Sequence, residues 1–287
     1  MRSARASFTS GRFRPAWAWS LSPSLLVLGG FALYPFLEVV RFASWDWSGL
    51  SPPVPVGFAN YRALLMDPAF WQSLKVTLAF AGLTLPSLIL LSLATALALE
   101  GQPYERPVKA LLFLPGLVTV GAAAVSWYTL AVPEYGALAA FVPVPPWDRE
   151  PGWALVMVVA FTLWRHLGYG VLVVSAHLKA IPPELLEAAR VDGATPAQAL
   201  RFVTLPLLRP AVAFLVVVGT ILTLQSYVAV FLLTRGGPFG STRVLGYFIY
   251  EVGFEQFRLG YAAAATVALL VVTLAAAYAQ ARALEGR

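Results

Sequence analysis

The chain has 287 residues, 59% of them hydrophobic and only 12% charged, where a soluble domain carries about 45 to 50% and roughly 25%. The net charge of +6 comes from Lys and Arg scattered through polar connections, without a basic face or aromatic platform, which excludes nucleic acid as the partner. Cysteine is absent, so disulfides, thiolate metal sites and a cysteine nucleophile are excluded too.

The apolar residues fall into six runs, at roughly 17–40, 73–99, 108–131, 153–176, 208–233 and 260–281. Each is long enough, at 1.5 Å per helical residue, to cross about 30 Å of hydrocarbon. Alternation of the β-barrel kind is missing, so the expected fold is an all-α integral membrane protein of six transmembrane helices. The first run follows Arg2, Arg5, Arg12 and Arg14. It is too long for a secretory signal and lacks a small-residue cleavage site, so it is expected to stay as an anchor. Residues 1–16 then form a basic tail and 17–287 a single transmembrane domain.

Beyond the first run, where Glu38 is expected to reach the interface, SGLSPPVPVG at 48–57 is too rich in proline for regular structure. Phe58, Tyr61, Leu64 and Leu65 share one helical face, which suits a short helix on the membrane surface. Asp67 and Pro68 read as an N-cap and a first helical residue. Pro35, Pro86 and Pro115 lie within runs and are expected to bend or open them. The stretch VPVPPWDREPG at 142–152 is again expected to be irregular, and Glu251 and Glu255 read as residues of the last polar connection.

Arg165 lies near the middle of the fourth run, where a charge must face protein or water. It is either a pathway or gate residue or a cation neutralised at a helix contact. His166 beside it reads as a packing or hydrogen-bonding residue, and two histidines in all make a metal site improbable. In the fifth run Thr223, Gln225, Ser226 and Tyr227 form a polar cluster among aliphatics. Such groups serve either solute recognition or interhelical hydrogen bonding.

Positive charge beside a span is retained in the cytoplasm. Twelve of the 20 Lys and Arg fall on the side that holds both termini, seven on the other and Arg165 inside a span. Both termini are therefore expected in the cytoplasm, as is the connection from Ile181 to Pro210, IPPELLEAARVDGATPAQALRFVTLPLLRP. Pro182 and Pro183 suit a helix start, Glu184 and Glu187 complement its dipole, and Gly193 suits a left-handed cap. Thr195, Pro196 and Gln198 form a capping-box pattern for a second helix, which Pro206 and Pro210 are expected to end. Leu185, Ala188, Ala189 and Asp192 recur at helical spacing, and the small alanines allow another surface to approach. The alternative is an amphipathic connector lying on lipid headgroups.

The run EAARVDGA followed by VTLP resembles the "EAA" loop of ABC importer permeases, carried here by Glu187, Ala188, Ala189, Gly193, Val203, Leu205 and Pro206. Valine stands where isoleucine is usual. The chain is also similar, over roughly residues 20–282, to the sugar-transporting permeases related to the larger membrane subunit of the maltose importer. The matching segments are NYRALLMDPAFW (60–71), LTRGGP (233–238) and GYAAAATVALL (260–270). That subunit has extra N-terminal helices and a large external insertion, which this chain lacks.

The resemblance implies a type I ABC importer permease fold in the plasma (inner) membrane, with loop 181–206 gripped by a dimer of ATP-binding subunits. Leu185, Glu187, Ala188, Ala189, Asp192 and Gly193 would carry that coupling. It further implies a second homologous permease, an extracytoplasmic solute-binding protein and a sugar-type solute, and a di- or oligosaccharide is expected. Arg165, Thr223, Gln225, Ser226 and Tyr227 would line the solute path. No G-x-x-x-x-G-K-[ST] loop is present, so ATP and Mg belong to a partner chain and none is expected here. A glycerol-phosphate or polyol solute is the alternative within the family. An ion-coupled secondary transporter would need deep carboxylates, which the spans lack, and no base with a nucleophile suggests a membrane enzyme.

Overall fold

The computed structural model describes the backbone of residues 16–285 and the side chains of 21–283, so the basic tail expected at 1–16 lies outside the described residues but for Ala16. Hydrocarbon offers no partners to backbone N–H and C=O groups, and the chain answers with helices that satisfy their own. Among the described residues, four helices are long and apolar enough to cross a bilayer singly, and two bent helix pairs bring the number of spans to six.

The first span runs from α1 (Ala16–Leu28) through a π-turn (Gly29–Leu33) into α2 (Tyr34–Phe42). The wider turn lies just ahead of Pro35, whose ring and missing N–H interrupt an α-helical ladder. Phe31 is 84% exposed, and this span buries itself only near its C-terminal end, where Ala43 packs on Ala263 and Ala264. Glu38 there pairs with Arg41 at 3.4 Å.

The next connection is not wholly irregular, contrary to expectation. Two short strands, β1 (Trp45–Asp46) and β2 (Val54–Pro55), pair antiparallel with Trp45 opposite Pro55. Proline cannot donate to a ladder, which stops it at two residues. In α3 (Ala59–Met66) the expected common face is divided: Leu64 is buried and Tyr61 half-buried, while Phe58 and Leu65 are exposed. The Asn60 amide sets this division by donating to the carbonyls of Ala43 and Trp45 at 3.1 and 2.8 Å.

Asp67 caps α4 (Pro68–Leu99) by accepting from the Ala69 N–H at 2.8 Å, and its other oxygen accepts from the Tyr261 hydroxyl at 2.7 Å. Pro86 is contained within α4 without ending it. The third span is broken: α5 (Glu105–Leu117) and α6 (Val120–Ala131) meet at 105°. Pro115 lies within the last turn of α5, where its missing N–H leaves the Leu111 carbonyl without a helical donor and weakens the helix end ahead of the break. The 142–152 stretch is irregular and anchored by buried Trp147, whose indole donates to the Ala131 carbonyl at 2.6 Å.

The long α7 (Pro151–Lys179) is the central pillar and packs on both α4 and α5. Polar turns then carry α8 (Pro183–Val191) and α9 (Pro196–Ala199). The second loop helix does not end at Pro206, as expected. A π-turn (Leu200–Thr204) absorbs the proline and leads through α10 (Leu205–Leu207) into α11 (Arg209–Leu224), with a 55° bend between them. After α11 the chain opens at Gln225–Tyr227 and resumes as α12 (Val228–Leu233).

Residues 234–259 fold back into the bundle, where only a polar connection was expected. α13 (Leu245–Tyr250) and a π-turn (Glu251–Glu255) bury Leu245, Phe248 and Val252 against Leu64, Phe70 and Tyr261 of α14 (Leu259–Glu285). One hydrogen bond seats this element. The Leu245 N–H donates at 2.7 Å to the Thr77 hydroxyl, which donates onward to the Ser73 carbonyl. Thr77→Val keeps the shape but orphans a buried N–H, so the loss should be about 1 to 3 kcal/mol of stability. Thermal unfolding of the purified variant is the check, and an unchanged midpoint would mean that α13 is held by packing alone.

Candidate functional site

Two helix breaks face each other. Between the opening of the third span and that of the fifth lies a cleft of about 260 Å³, lined by Val120, Arg165, His166, Leu222, Gln225, Ser226 and Tyr227, with Val228 and Ala229 behind. The break at Gln225–Tyr227 turns these polar side chains out of the helix ladder and toward the cleft. Tyr227 is stacked on Tyr250 at 5.8 Å between ring centres, and Tyr250 on Phe254 at 5.6 Å. Flat aromatic faces beside amide and hydroxyl donors form a surface suited to a polyhydroxylated molecule.

Arg165 has two jobs in this geometry. Its Nη1 donates to the carbonyls of Pro115 and Val118, at 3.1 and 2.6 Å, which the break of the third span leaves without helical partners. It also borders the cleft. The helix contact is thus made by a side chain that also lies at the cleft wall.

Thr223 is not brought into the cleft. It is 2% exposed, and its hydroxyl turns back to the carbonyls of Gly219 and Thr220 on its own helix. Interhelical hydrogen bonding falls instead to Thr220, which accepts from the Gln280 amide at 2.7 Å. Sequence reasoning missed Tyr250 and Phe254, because the adjacent Glu251 and Glu255 marked that stretch as a polar connection. It also missed a cluster beside the loop, where Lys109 and Lys179 donate to Glu105 at 2.7 and 2.6 Å and join the start of α5 to the end of α7. The four-residue Glu-to-Lys spacing was the available signal.

The second surface is the loop itself. Gly193 takes φ +79°, and the Ala194 N–H donates to the Ala189 carbonyl while the Gly193 N–H donates to that of Arg190. These two bonds are a Schellman cap. Thr195 and Gln198 then exchange both bonds of a capping box. No residue of α8 is buried. Leu185, Glu187, Ala188 and Asp192 are all exposed and Ala189 half-buried, with Val191 and Phe202 projecting 87% and 67% free. The doubly capped turn thus leaves apolar and acidic side chains together on its exposed face.

A family model described as "Binding-protein-dependent transport system inner membrane component" matches residues 61–286. The chain belongs to this family. The permease is thus an integral inner-membrane subunit of an ABC importer and not itself an enzyme. It is 34% identical to the sn-glycerol-3-phosphate transport system permease protein UgpA of Agrobacterium fabrum, over 93% of this chain and 94% of that one. It is 32% identical to the inner membrane ABC transporter permease protein YcjO of Escherichia coli K12, over 89% of each. The lactose transport system permease protein LacF of Rhizobium radiobacter is 30% identical, again over 89% of each. Among solved structures, a bacterial ABC transporter involved in the import of the acidic polysaccharide alginate matches with a TM-score of 0.77. That likeness covers 93% of this permease and 96% of the other chain at 24% identity, and bears on the fold. No cluster of three or more His, Asp or Glu that could hold a metal ion occurs among the described residues of the permease.

Proposed function

We propose that the cleft between the two helix breaks is this permease's share of the path for a di- or oligosaccharide, completed by a second homologous permease. The observation that carries the reading is the opening at Gln225–Tyr227, which exposes amide, hydroxyl and ring beside the Tyr250 face at the depth of a span. Paired breaks of this kind are where transporters place solute sites. Among the relatives' names, lactose supports a disaccharide, while sn-glycerol-3-phosphate names a smaller phosphorylated solute.

The exposed loop 181–206 is, on this reading, the cytoplasmic surface on which a dimer of ATP-binding subunits docks, through Leu185, Glu187, Ala188, Ala189 and Asp192. ATP and Mg are held by those subunits. An extracytoplasmic binding protein delivers the solute from the opposite side, and both termini of this chain are cytoplasmic, as the distribution of Lys and Arg supports.

Gln225→Ala tests the path. Loss of one neutral hydrogen bond to solute, about 0.5 to 1.5 kcal/mol, should lower uptake at subsaturating solute by roughly two- to tenfold. The assembled complex should elute and melt like the wild type, because Gln225 is exposed in the cleft and supports no described contact. Wild-type uptake by this variant would remove the cleft from the solute's route.

A further inference from the structure

The cleft has an electrostatic sign. Arg165 is its one ionised lining residue, and neither Asp nor Glu lines it. Arg165 forms no ion pair among the described residues, and only Nη1 is engaged, by two backbone carbonyls. Carbonyl dipoles solvate a guanidinium but leave its unit charge in place, and Nε and Nη2 keep donors in hand. Val120, the first residue of α6, borders the same cleft, and that helix start has no side-chain cap. Its free N–H groups add to the positive sign. A cation this deep in a span faces protein or a water-filled cavity and marks a pathway by default; the two carbonyls meet Nη1, and the remaining donors are open to an anion.

The sign continues along the same face of α7. Helical spacing places Tyr169, Leu172, Ala176 and Lys179 in one stripe below Arg165, with Lys179 roughly 21 Å further along the axis. There a second cleft, of about 430 Å³, opens under Arg106, Lys109 and Lys179, with Glu105 as its one acid. The buried Ser175 hydroxyl in its wall has no hydrogen-bond partner. A positive stripe at the loop end alone would follow from membrane topology. Arg165 is too deep for that explanation.

Building on the pathway reading above, we infer that the solute carries an anionic group, a carboxylate or a phosphate or sulfate ester on a sugar, for which Arg165 is the counter-ion during passage. The guanidinium fork pairs with such groups through two parallel N–H donors. The sugar body lies on the Tyr227 and Tyr250 rings, and the anion takes the donors that the Pro115 and Val118 carbonyls leave free.

The test uses the complete importer, with both permeases, ATP-binding subunits and binding protein, reconstituted in proteoliposomes and offered digalacturonate, glucose 6-phosphate or maltose at equal concentration. ATP-dependent uptake of at least one anion should exceed that of maltose tenfold or more. It should fall at least tenfold in Arg165→Gln and recover in Arg165→Lys, which retains the charge. Maltose uptake that matches the anions and declines in Gln225→Ala would overturn the anionic solute while leaving the pathway reading in place. Anion uptake indifferent to Arg165→Gln, or uptake of neither anion, overturns it as well, and the pathway reading stands or falls separately on Gln225→Ala.

Discussion

Gly168→Ala should prevent the permease from accumulating as a stable protein. A methyl group at this position would lie 2.2 Å from the Leu112 carbonyl oxygen, 2.4 Å from its carbon and 2.6 Å from the Phe113 Cα. All three are backbone atoms, so no rotamer change relieves the contact, and α5 must move off α7. Overpacking in a core costs typically 1 to 3 kcal/mol where side chains can yield. Here the loss should be at or above about 3 kcal/mol, a large part of a total of 5 to 15. The displacement would also draw the Pro115 and Val118 carbonyls away from Arg165, because both lie on the helix end that must shift. Gly152→Ala is the matched control. It lies in the first turn of the same helix with nothing within 4 Å of the added methyl, and should stay within about 0.5 kcal/mol of the wild type. Monodisperse yield and melting temperature in detergent decide the matter: a Gly168→Ala protein that melts with the wild type would show that α5 and α7 can part freely.

What the sequence made legible is what depends on neighbours along the chain. The Asp67 cap, the Gly193 cap and the Thr195–Gln198 box involve residues within a few positions of one another, and each has a side chain or backbone preference that does one thing. The six apolar runs were legible because hydrocarbon imposes a length. The helix breaks were only half legible. Pro115 announced trouble in the third span, but the 105° turn at Val118 is held by Arg165 from a different helix, and such a partner has no local signature. In the fifth span the polar cluster was visible while its division was not. Thr223 ends inside α11 with its hydroxyl satisfied by that helix, and the three residues of opening after Leu224 re-aim Gln225 and Tyr227. Residues 234–259 were read as a connection because α13 is too short to show a helical period. Its place is set by the Thr77 hydroxyl and by rings of α4 and α14, all remote in sequence.

Glu187→Ala and Gly193→Ala should both leave an intact permease in the membrane and sever ATP hydrolysis from uptake, for different physical reasons. Gly193 has φ +79° and open space around the position of an added methyl, so alanine meets no clash. It pays only for the left-handed backbone, about 1 kcal/mol. That cost is taken from the Schellman cap, which fixes the angle between α8 and α9, and the docking face loses its shape. Gly193→Asn, which tolerates this conformation, should keep most of the coupling. Glu187 is exposed and makes no described ion pair, so its removal leaves the loop folded. Its effect appears only where a partner covers it: a charge-assisted contact is worth about 1.5 to 3 kcal/mol when desolvated and far less when open to water. Docking should therefore weaken by roughly tenfold or more if the ATP-binding subunit buries this carboxylate. The measurement is the ATPase rate of the reconstituted importer with and without loaded binding protein. Stimulation should collapse in Glu187→Ala and Gly193→Ala and persist in Gly193→Asn. Stimulation and uptake at wild-type levels in both alanine variants would reduce loop 181–206 to a connector on the lipid surface.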